Sequence, residues 1–269
     1  MKKQNNDILI IPDGHAHPNL DNDRFDWLGE YILKTKPGTV ICIGDLPDFP
    51  SLSSYDEGTG NAWNRLYVKD CEAAIDAQER IWCPTNEYNR KRAKHKKSQY
   101  KPRKIYCAGN HEDRADRFVN AHPNMAGFME WRRDIKVDDY WSEFVGFKDE
   151  IDVHGVSFSH YFSGGLTGQP ISGVNIARAM VLKLSRSAVQ GHSHIFSYNY
   201  GDRGPGKPLI ECWSCGCFSH PGHIEGWNRN TVATWRYGVL HLHNVRDGCP
   251  TDGWTWREQD YLRRQYEGR

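Results

Sequence analysis

Three observations predict an α/β fold for this chain. Its first hundred residues alternate strand-like and helix-like stretches. The strand-like stretches are continuous apolar runs, as expected of strands covered on both faces. Several of these runs end in Gly followed by Asp, Asn or His, which places polar side chains at the carboxyl ends of parallel strands, where open α/β sheets gather ligands.

The elements follow in order. Ile8-Leu9-Ile10-Ile11-Pro12 is the first strand and runs into Asp13-Gly14-His15. A polar loop with Pro18, Asn19 and Asp21 leads to a helix over about Arg24 to Lys34. Phe25, Trp27, Leu28, Tyr31 and Ile32 recur there on a helical period, with Asp23 as N-cap and Pro37-Gly38 as terminator. The second strand, Val40 to Ile43, delivers Gly44-Asp45-Leu46-Pro47-Asp48. Residues 51 to 103 then form an insertion, beginning with a loop over Ser51 to Gly58. A helix is expected from Ala62 to Trp82, an interruption at Pro84, and a second helix from Thr85 to about Lys97. Lys104 to Cys107 is the third strand, ending in Gly109-Asn110-His111-Glu112, and a helix is expected over Asp113 to Ala121. Ile151 to Ser159 reads as a hairpin turning at Gly155 and ending on His160. The Gly-rich loop Gly164 to Gly168 is placed to cover a substrate, but it lacks a P-loop lysine and spacing. A helix over about Val174 to Ser185 crosses to Ala188-Val189-Gln190, which ends in Gly191-His192-Ser193-His194. Beyond Phe196 strands dominate, with turns at Gly201 to Gly206 and Asp247-Gly248, and a short helix closes the chain.

The strand ends therefore read, in order, D-x-H, G-D-x-x-D, G-N-H-E, a single His, and G-H-x-H. In this order the motifs resemble the calcineurin-like metallophosphoesterase superfamily, over Asp13 to His194. The insertion after Asp48 and the ending near Tyr261-Leu262-Arg263-Arg264 are most similar to members carried by bacteriophages and prophages. The resemblance implies an α/β/β/α sandwich of two mixed sheets flanked by helices, in one domain over 1–269 with a basic helical insertion at about 51–103.

The ligand inventory is Asp13, His15, Asp45, Asn110, His160, His192 and His194. Seven N and O donors without thiolate suit two borderline divalent ions: Mn²⁺ foremost, with Fe²⁺, Zn²⁺ or Ni²⁺ as alternatives. By the resemblance, one ion takes Asp13, His15 and His194, and the other takes Asn110, His160 and His192. Asp45 bridges both, and a hydroxide shared by the ions attacks the phosphorus of a phosphate ester. His111, not a ligand, faces the leaving oxygen, and Asp48 sets its tautomer. His17 is a spare histidine able to displace His15.

The superfamily's protein Ser/Thr phosphatases follow G-D-x-x-D with Arg-Gly and precede G-N-H-E with Arg. Phe49-Pro50 and Ala108 stand there instead. Losing two phosphate-binding guanidiniums favours a phosphodiesterase or nuclease over a phosphomonoesterase acting on nucleotides or phosphoproteins. Arg114 and Arg117 are candidate replacements, or plain surface residues. A catalytically silent binding module is the reading from another class.

Composition adds bounds. The 269 residues suffice for a sizeable core, and a net charge of +1 neither demands nor excludes nucleic acid. Arg90 to Lys104 holds nine Lys or Arg and no acid, either a solvated face or a surface for nucleic acid. Trp63, Tyr67, Trp82, Tyr88 and Tyr100 are stacking candidates or packing residues. The apolar run after Met1 to Asp7 is too short for a signal peptide or membrane span. A cytoplasmic protein is expected, in the bacterial host cytoplasm if phage-encoded. Eight scattered cysteines then read as reduced thiols. Cys212, Cys215 and Cys217 with His220 and His223 suit either a zinc site or a strand of alternating small buried residues.

Overall fold

The computed structural model describes residues 5–53, 65–165, 168–202, 204–207, 209–223 and 232–268. The first strand, β1 (Ile8–Ile11), is apolar throughout because both of its faces are covered. Ile8 and Ile10 point into a core between two sheets, while Leu9 and Ile11 point into a layer of helices. This is the two-residue period of a strand serving two cores at once.

The chain continues through α1 (Asp23–Thr35), β2 (Thr39–Cys42), a 3₁₀ turn at Pro50–Leu52, α2 (Tyr67–Lys94), β3 (Arg103–Cys107) and α3 (Asn110–Ala121). The one-turn helices α4 (Trp131–Asp134) and α5 (Val137–Tyr140) lead to β4 (Glu143–Val145). The hairpin β5 (Ile151–Val153) and β6 (Val156–Phe158) comes next, then α6 (Ile176–Leu184), β7 (Ala188–Gln190), β8 (Phe196–Gly201) and β9 (Ile210–Cys215). Last are β10 (Gly238–Leu242), the short pair β11 (Val245–Arg246) and β12 (Cys249–Pro250), β13 (Trp254–Glu258) and α7 (Gln259–Tyr266).

One sheet has the order β13-β10-β1-β2-β3-β4 and the other β5-β6-β7-β9-β8. β1 to β4 are mutually parallel, as are β6, β7 and β9; β10 runs antiparallel to β1 and to β13, and β5 and β8 pair antiparallel with β6 and β9. Ile41, Ile43, Ile105 and Leu240 of the first sheet meet Phe158, Val189 and Trp213 of the second. Phe25, Leu28, Ile81, Trp82 and Leu262 cover the outer face of the first sheet, and Ile176 and Met180 cover that of the second. The fold is thus the expected α/β/β/α sandwich of two mixed sheets flanked by helices. Among the described residues no helix is long and apolar enough to cross a membrane.

Local expectations hold unevenly. The hairpin turns at His154-Gly155, and the turn at Asp247-Gly248 joins β11 to β12; all four residues have positive φ. The N-cap of α1 is Asn22 rather than Asp23. Its side-chain amide donates to Ala73 O and Asp76 Oδ2 of α2, so tertiary contact outranks local capping. The expected helix start at Ala62 and the stacking candidate Trp63 lie outside the described residues, as do Leu166 and Thr167 of the Gly-rich loop. Pro84 does not interrupt its helix: α2 passes through it for 28 residues. The Arg80 carbonyl, which Pro84 has no N–H to serve, packs against α1 instead, where Gly29 lets the helices approach. A Cβ at Gly29 would lie 2.7 Å from Arg80 O and 2.8 Å from Ile81 O. The same helix is the crossover from β2 to the parallel β3, which explains why residues 65–94 bury Ala74, Ala77, Ile81 and Trp82.

Gly29→Ala should therefore destabilise the protein by about 1–3 kcal/mol, although alanine is the better helix former, because the obstructing atoms are backbone. Urea unfolding measures this, and an unchanged or raised midpoint would contradict the α1–α2 packing described.

Candidate metal centre

The candidate residues collect at one edge of the sandwich, at the carboxyl ends of β1, β2, β3, β6 and β7. Asp13, His15, Asp45, His192 and His194 all have left-handed backbones, with φ of 36°, 43°, 53°, 69° and 58°. Non-glycine residues held there cost about 1–3 kcal/mol each and persist only when the surroundings fix them. The neighbouring glycines explain how they fit. A Cβ at Gly109 would collide with Asp45 Oδ1, and one at Gly191 with Asp13 Oδ2.

Backbone donors hold the two carboxylates. Asp13 accepts from His192 N–H through both oxygens, at 2.8 and 3.1 Å. Asp45 Oδ1 accepts from His111 N–H at 2.8 Å, at the amino end of α3, where the helix dipole favours an anion. Glu112 secures this arrangement. Its carboxylate accepts from the backbone of Asp45 (3.0 Å), Leu46 (3.3 Å) and Gly109 (2.8 Å), and from Tyr106 Oη at 2.6 Å. Burial and the nearby Asp45 push Glu112 up to about 7.

Two triads of donors face inward. In the first, His15 Nε2 lies 3.1 Å from His194 Nε2, which is 3.4 Å from Asp13 Oδ1. In the second, Asn110 Oδ1 lies 2.7 Å from His192 Nδ1 and 3.0 Å from His160 Nε2. Asp45 Oδ2 stands 3.3 Å from His160 Nε2, and Asp45 groups with His15 and His111 as well as with His160 and His192. His160 Nδ1 must donate to the Ile43 carbonyl at 3.0 Å, which leaves Nε2 aimed at two oxygen acceptors. That end of the ring demands a positive charge. Burial alone would lower the His160 pKa, but Asp45 and Asp13 outweigh it and raise it to about 9. Burial, with neighbouring imidazoles, lowers His15 and His194 to about 3 and His192 to about 4, so these rings are neutral at neutral pH. Buried His and Asp groups of this kind can hold metal ions.

Asp48 is more widely shared than a partner for His111 alone. Its Oδ1 accepts from His15 Nδ1 at 2.9 Å and lies 3.2 Å from His111 Nδ1, while Oδ2 faces His223 Nε2 at 3.3 Å. Its backbone carbonyl accepts from His111 Nδ1 at 2.6 Å. Burial opposes ionisation of Asp48, yet the three histidines hold its carboxyl well below the usual range. His111 is raised, since Asp45 and Asp48 outweigh burial and Arg114.

Arg114 lines a cleft of ≈ 480 Å³ with Asp45, Asn110, His111, His192 and His194. It donates to His111 Nε2 at 3.0 Å and to Asp48 O at 3.2 Å. Arg117 is not brought there: its side chain is 62% exposed on α3 and ion-paired with Asp113 at 2.9 Å. His17 joins no ligand group among the described residues, and its ring lies 5.8 Å from that of His223. The cysteines do not converge. Cys215 packs between the sheets and Cys212 under α6, while His220 faces Asp21 at 3.2 Å. The strand of alternating small buried residues is what the structure contains.

Sequence reasoning missed three residues of the centre. His223 is buried beside Asp48, and Trp235 sets its ring edge on His194 with centroids 4.1 Å apart. Arg24, fully buried, donates to Gly14 O and His15 O at 2.9 and 3.2 Å. A signal existed for His223. Leu209 to Phe218 is another strand-like run, and it too is followed by histidines.

No protein-family model and no curated protein sequence matches this chain. Among solved structures it is similar to Yfce, described as a phosphoesterase from E. coli. The identity is 13% and the TM-score 0.38, covering 93% of this chain and 96% of that one.

Glu112→Gln should cost about 1–3 kcal/mol, since an amide nitrogen cannot accept the hydrogen bonds it would face in a buried site. Urea unfolding of metal-free protein isolates this from ligand binding. Full stability would mean that Glu112 does not hold the Asp45 loop.

Proposed function

We propose that the protein is a dinuclear metal-dependent phosphoesterase of the calcineurin-like metallophosphoesterase superfamily, acting on phosphodiesters. The observation that carries this reading is the convergence of two donor triads on Asp45, beside a cleft that also holds His111 and Arg114. Asp13, His15 and His194 would hold one ion, and Asn110, His160 and His192 the other, with Asp45 serving both. We assign Mn²⁺, ahead of Fe²⁺, Zn²⁺ or Ni²⁺, because every donor is N or O. When bound, such ions polarise a phosphoryl oxygen and supply a nucleophile at neutral pH.

The chain's own groups do the remaining work. Arg114 is the cation at the cleft and takes a non-bridging phosphate oxygen. In doing so it leaves His111 Nε2, which it now donates to at 3.0 Å. Freed, His111 carries a proton at Nε2 toward the leaving oxygen, and Asp48 holds its Nδ1–H and stabilises the charged ring. Among the described residues the cleft presents one guanidinium, that of Arg114, rather than a cluster, which suits a diester's single negative charge. The nuclease form of this reading rests on Arg90 to Lys104. Within it Arg103 pairs with Glu143 and Lys104 lies over Trp82, while Arg90, Lys91, Lys94, Lys96, Lys97 and Lys101 are exposed.

Dialysis against chelator followed by Mn²⁺ should abolish and then restore hydrolysis of a nitrophenyl phosphodiester, with the monoester turned over more slowly. Full activity without metal would overturn the reading, and a monoester preference would move it to the phosphomonoesterases. His111→Gln should retain metal and lower kcat by about 10²–10⁴, most for poor leaving groups. Asp48→Asn should do more than weaken that step. Because it also orients His15, metal affinity should fall by about 10–100-fold, as measured by competition with a chromogenic chelator.

A further inference from the structure

A second group of potential ligands lies at the other end of β1, away from the centre described above. Asp7, just before β1, faces His241 of β10 and His243 just after it, and their ligand atoms all lie within 4.8 Å of one another. Asp7 Oδ2 is 3.8 Å from His241 Nε2 and 3.9 Å from His243 Nδ1. We propose that Asp7, His241 and His243 form a separate binding site for one borderline divalent cation of the Zn²⁺ class.

Four features of the structure support this site. First, His241 is 2% exposed, and its Nε2 has no hydrogen-bond partner among the described residues while pointing at the Asp7 carboxylate. A buried ring nitrogen left in that state costs free energy that a metal bond would recover. Second, the far nitrogen of each ring meets a hydroxyl: His241 Nδ1 lies 3.3 Å from Tyr31 Oη, and His243 Nε2 lies 2.8 Å from Thr255 Oγ1. Each hydroxyl can accept an N–H there, and the tautomer that donates it leaves Nε2 of His241 and Nδ1 of His243 as lone pairs, as metal-bound histidines require. Third, Asp7 is already oriented. Its Oδ1 accepts from Asn244 N–H at 2.8 Å and its backbone carbonyl from Thr39 N–H at 3.0 Å, which leaves Oδ2 for the ion. Fourth, the two imidazoles are neighbours, with ring centroids 4.3 Å apart.

Bonds of roughly 2.0–2.2 Å place tetrahedral donors about 3.3 Å apart, so the two spacings from Asp7 need to close by about 0.5–0.6 Å. His243 and Asp7 are part-exposed, with side chains 29% and 28% accessible, which gives an ion a route in and a water room as fourth ligand. Arg257, hydrogen-bonded to Tyr31, opposes a cation, and the Asp7 carboxylate offsets it. The nine-tenths-hidden Nε2 separates this group from an ordinary surface cluster. An ion here would tie the segment before β1 to the far end of β10, and would do so whether or not the first centre is catalytic.

Equilibrium dialysis of the full chain against Zn²⁺ at neutral pH tests the site. His243→Ala and Asp7→Asn should each bind about one ion fewer per chain than the parent protein. Equal binding by all three proteins would overturn the proposal. Nitrogen-detected NMR of the ring signals in the parent chain gives an answer that needs no variant. Saturating Zn²⁺ should shift Nε2 of His241 and Nδ1 of His243, and signals unmoved at saturation would overturn the site even if the variants failed to fold.

Discussion

Asp45 is the residue on which the centre depends. One of its oxygens takes the amino end of α3 through His111 N–H, and the other faces His160 Nε2 at 3.3 Å. The carboxylate is fully buried, a situation that burial alone would resolve by protonation. Histidines on several sides, His160 and His111 foremost, hold it instead well below the usual range. A buried anion kept ionised among imidazoles has its charge ready for a cation before one arrives. The same field acts on His160, whose pKa Asp45 and Asp13 raise against burial.

Keeping Asp45 in place requires more than its own contacts. Its left-handed backbone and the close approach of Gly109 leave no slack for a loop that drifts. Glu112 supplies the restraint, accepting from both Asp45 and Gly109 and thereby joining the end of β2 to the end of β3. Two acids packed this closely repel, and the strain appears on Glu112, whose pKa rises, rather than on Asp45, whose pKa falls. Tyr106 donates to the weaker partner at 2.6 Å and stabilises its charge. The spacing from Gly109 to Glu112 is thus a consequence of geometry, with one turn of α3 carrying both Asn110, which faces His160 and His192, and the clamp on the facing loop.

The strands and their ends were legible because both follow from strong local patterns. Ile8 to Ile11 and Val40 to Ile43 are apolar on two faces, and few irregular segments would end each in Gly, Asp, Asn or His. What stayed hidden depends on distant packing. Pro84 reads as a helix break until Gly29 of another helix is seen to fit against the Arg80 carbonyl it leaves. Asp23 reads as a cap until Asn22 is found bound to α2. His223 reads as part of a cysteine cluster because Cys212, Cys215 and Cys217 precede it in the chain, whereas β9 lies parallel to β7 and leads to it beside Asp48. Arg117 fails the other way: one helical turn from Arg114 is close in sequence, but α3 turns that position to solvent.

Arg24 shows how far such a distant constraint can reach. By pattern it is only the start of an amphipathic helix, yet its guanidinium is fully buried and bound to carbonyls of Gly14, His15, Asp21 and Phe218. These belong to the loop after β1, the approach to α1 and the segment after β9. Only a planar fork with five donors can tie three such segments at once; an ammonium would serve them as a point charge. Burial lowers its pKa to about 9, which still leaves it a cation at neutral pH. It therefore places a fixed positive charge behind Asp48, while the amino end of α3 sits against Asp45. Asp48 thus has the Arg24 cation behind it and Asp45 the amino end of α3, beside the histidines that hold both carboxyls well below the usual range.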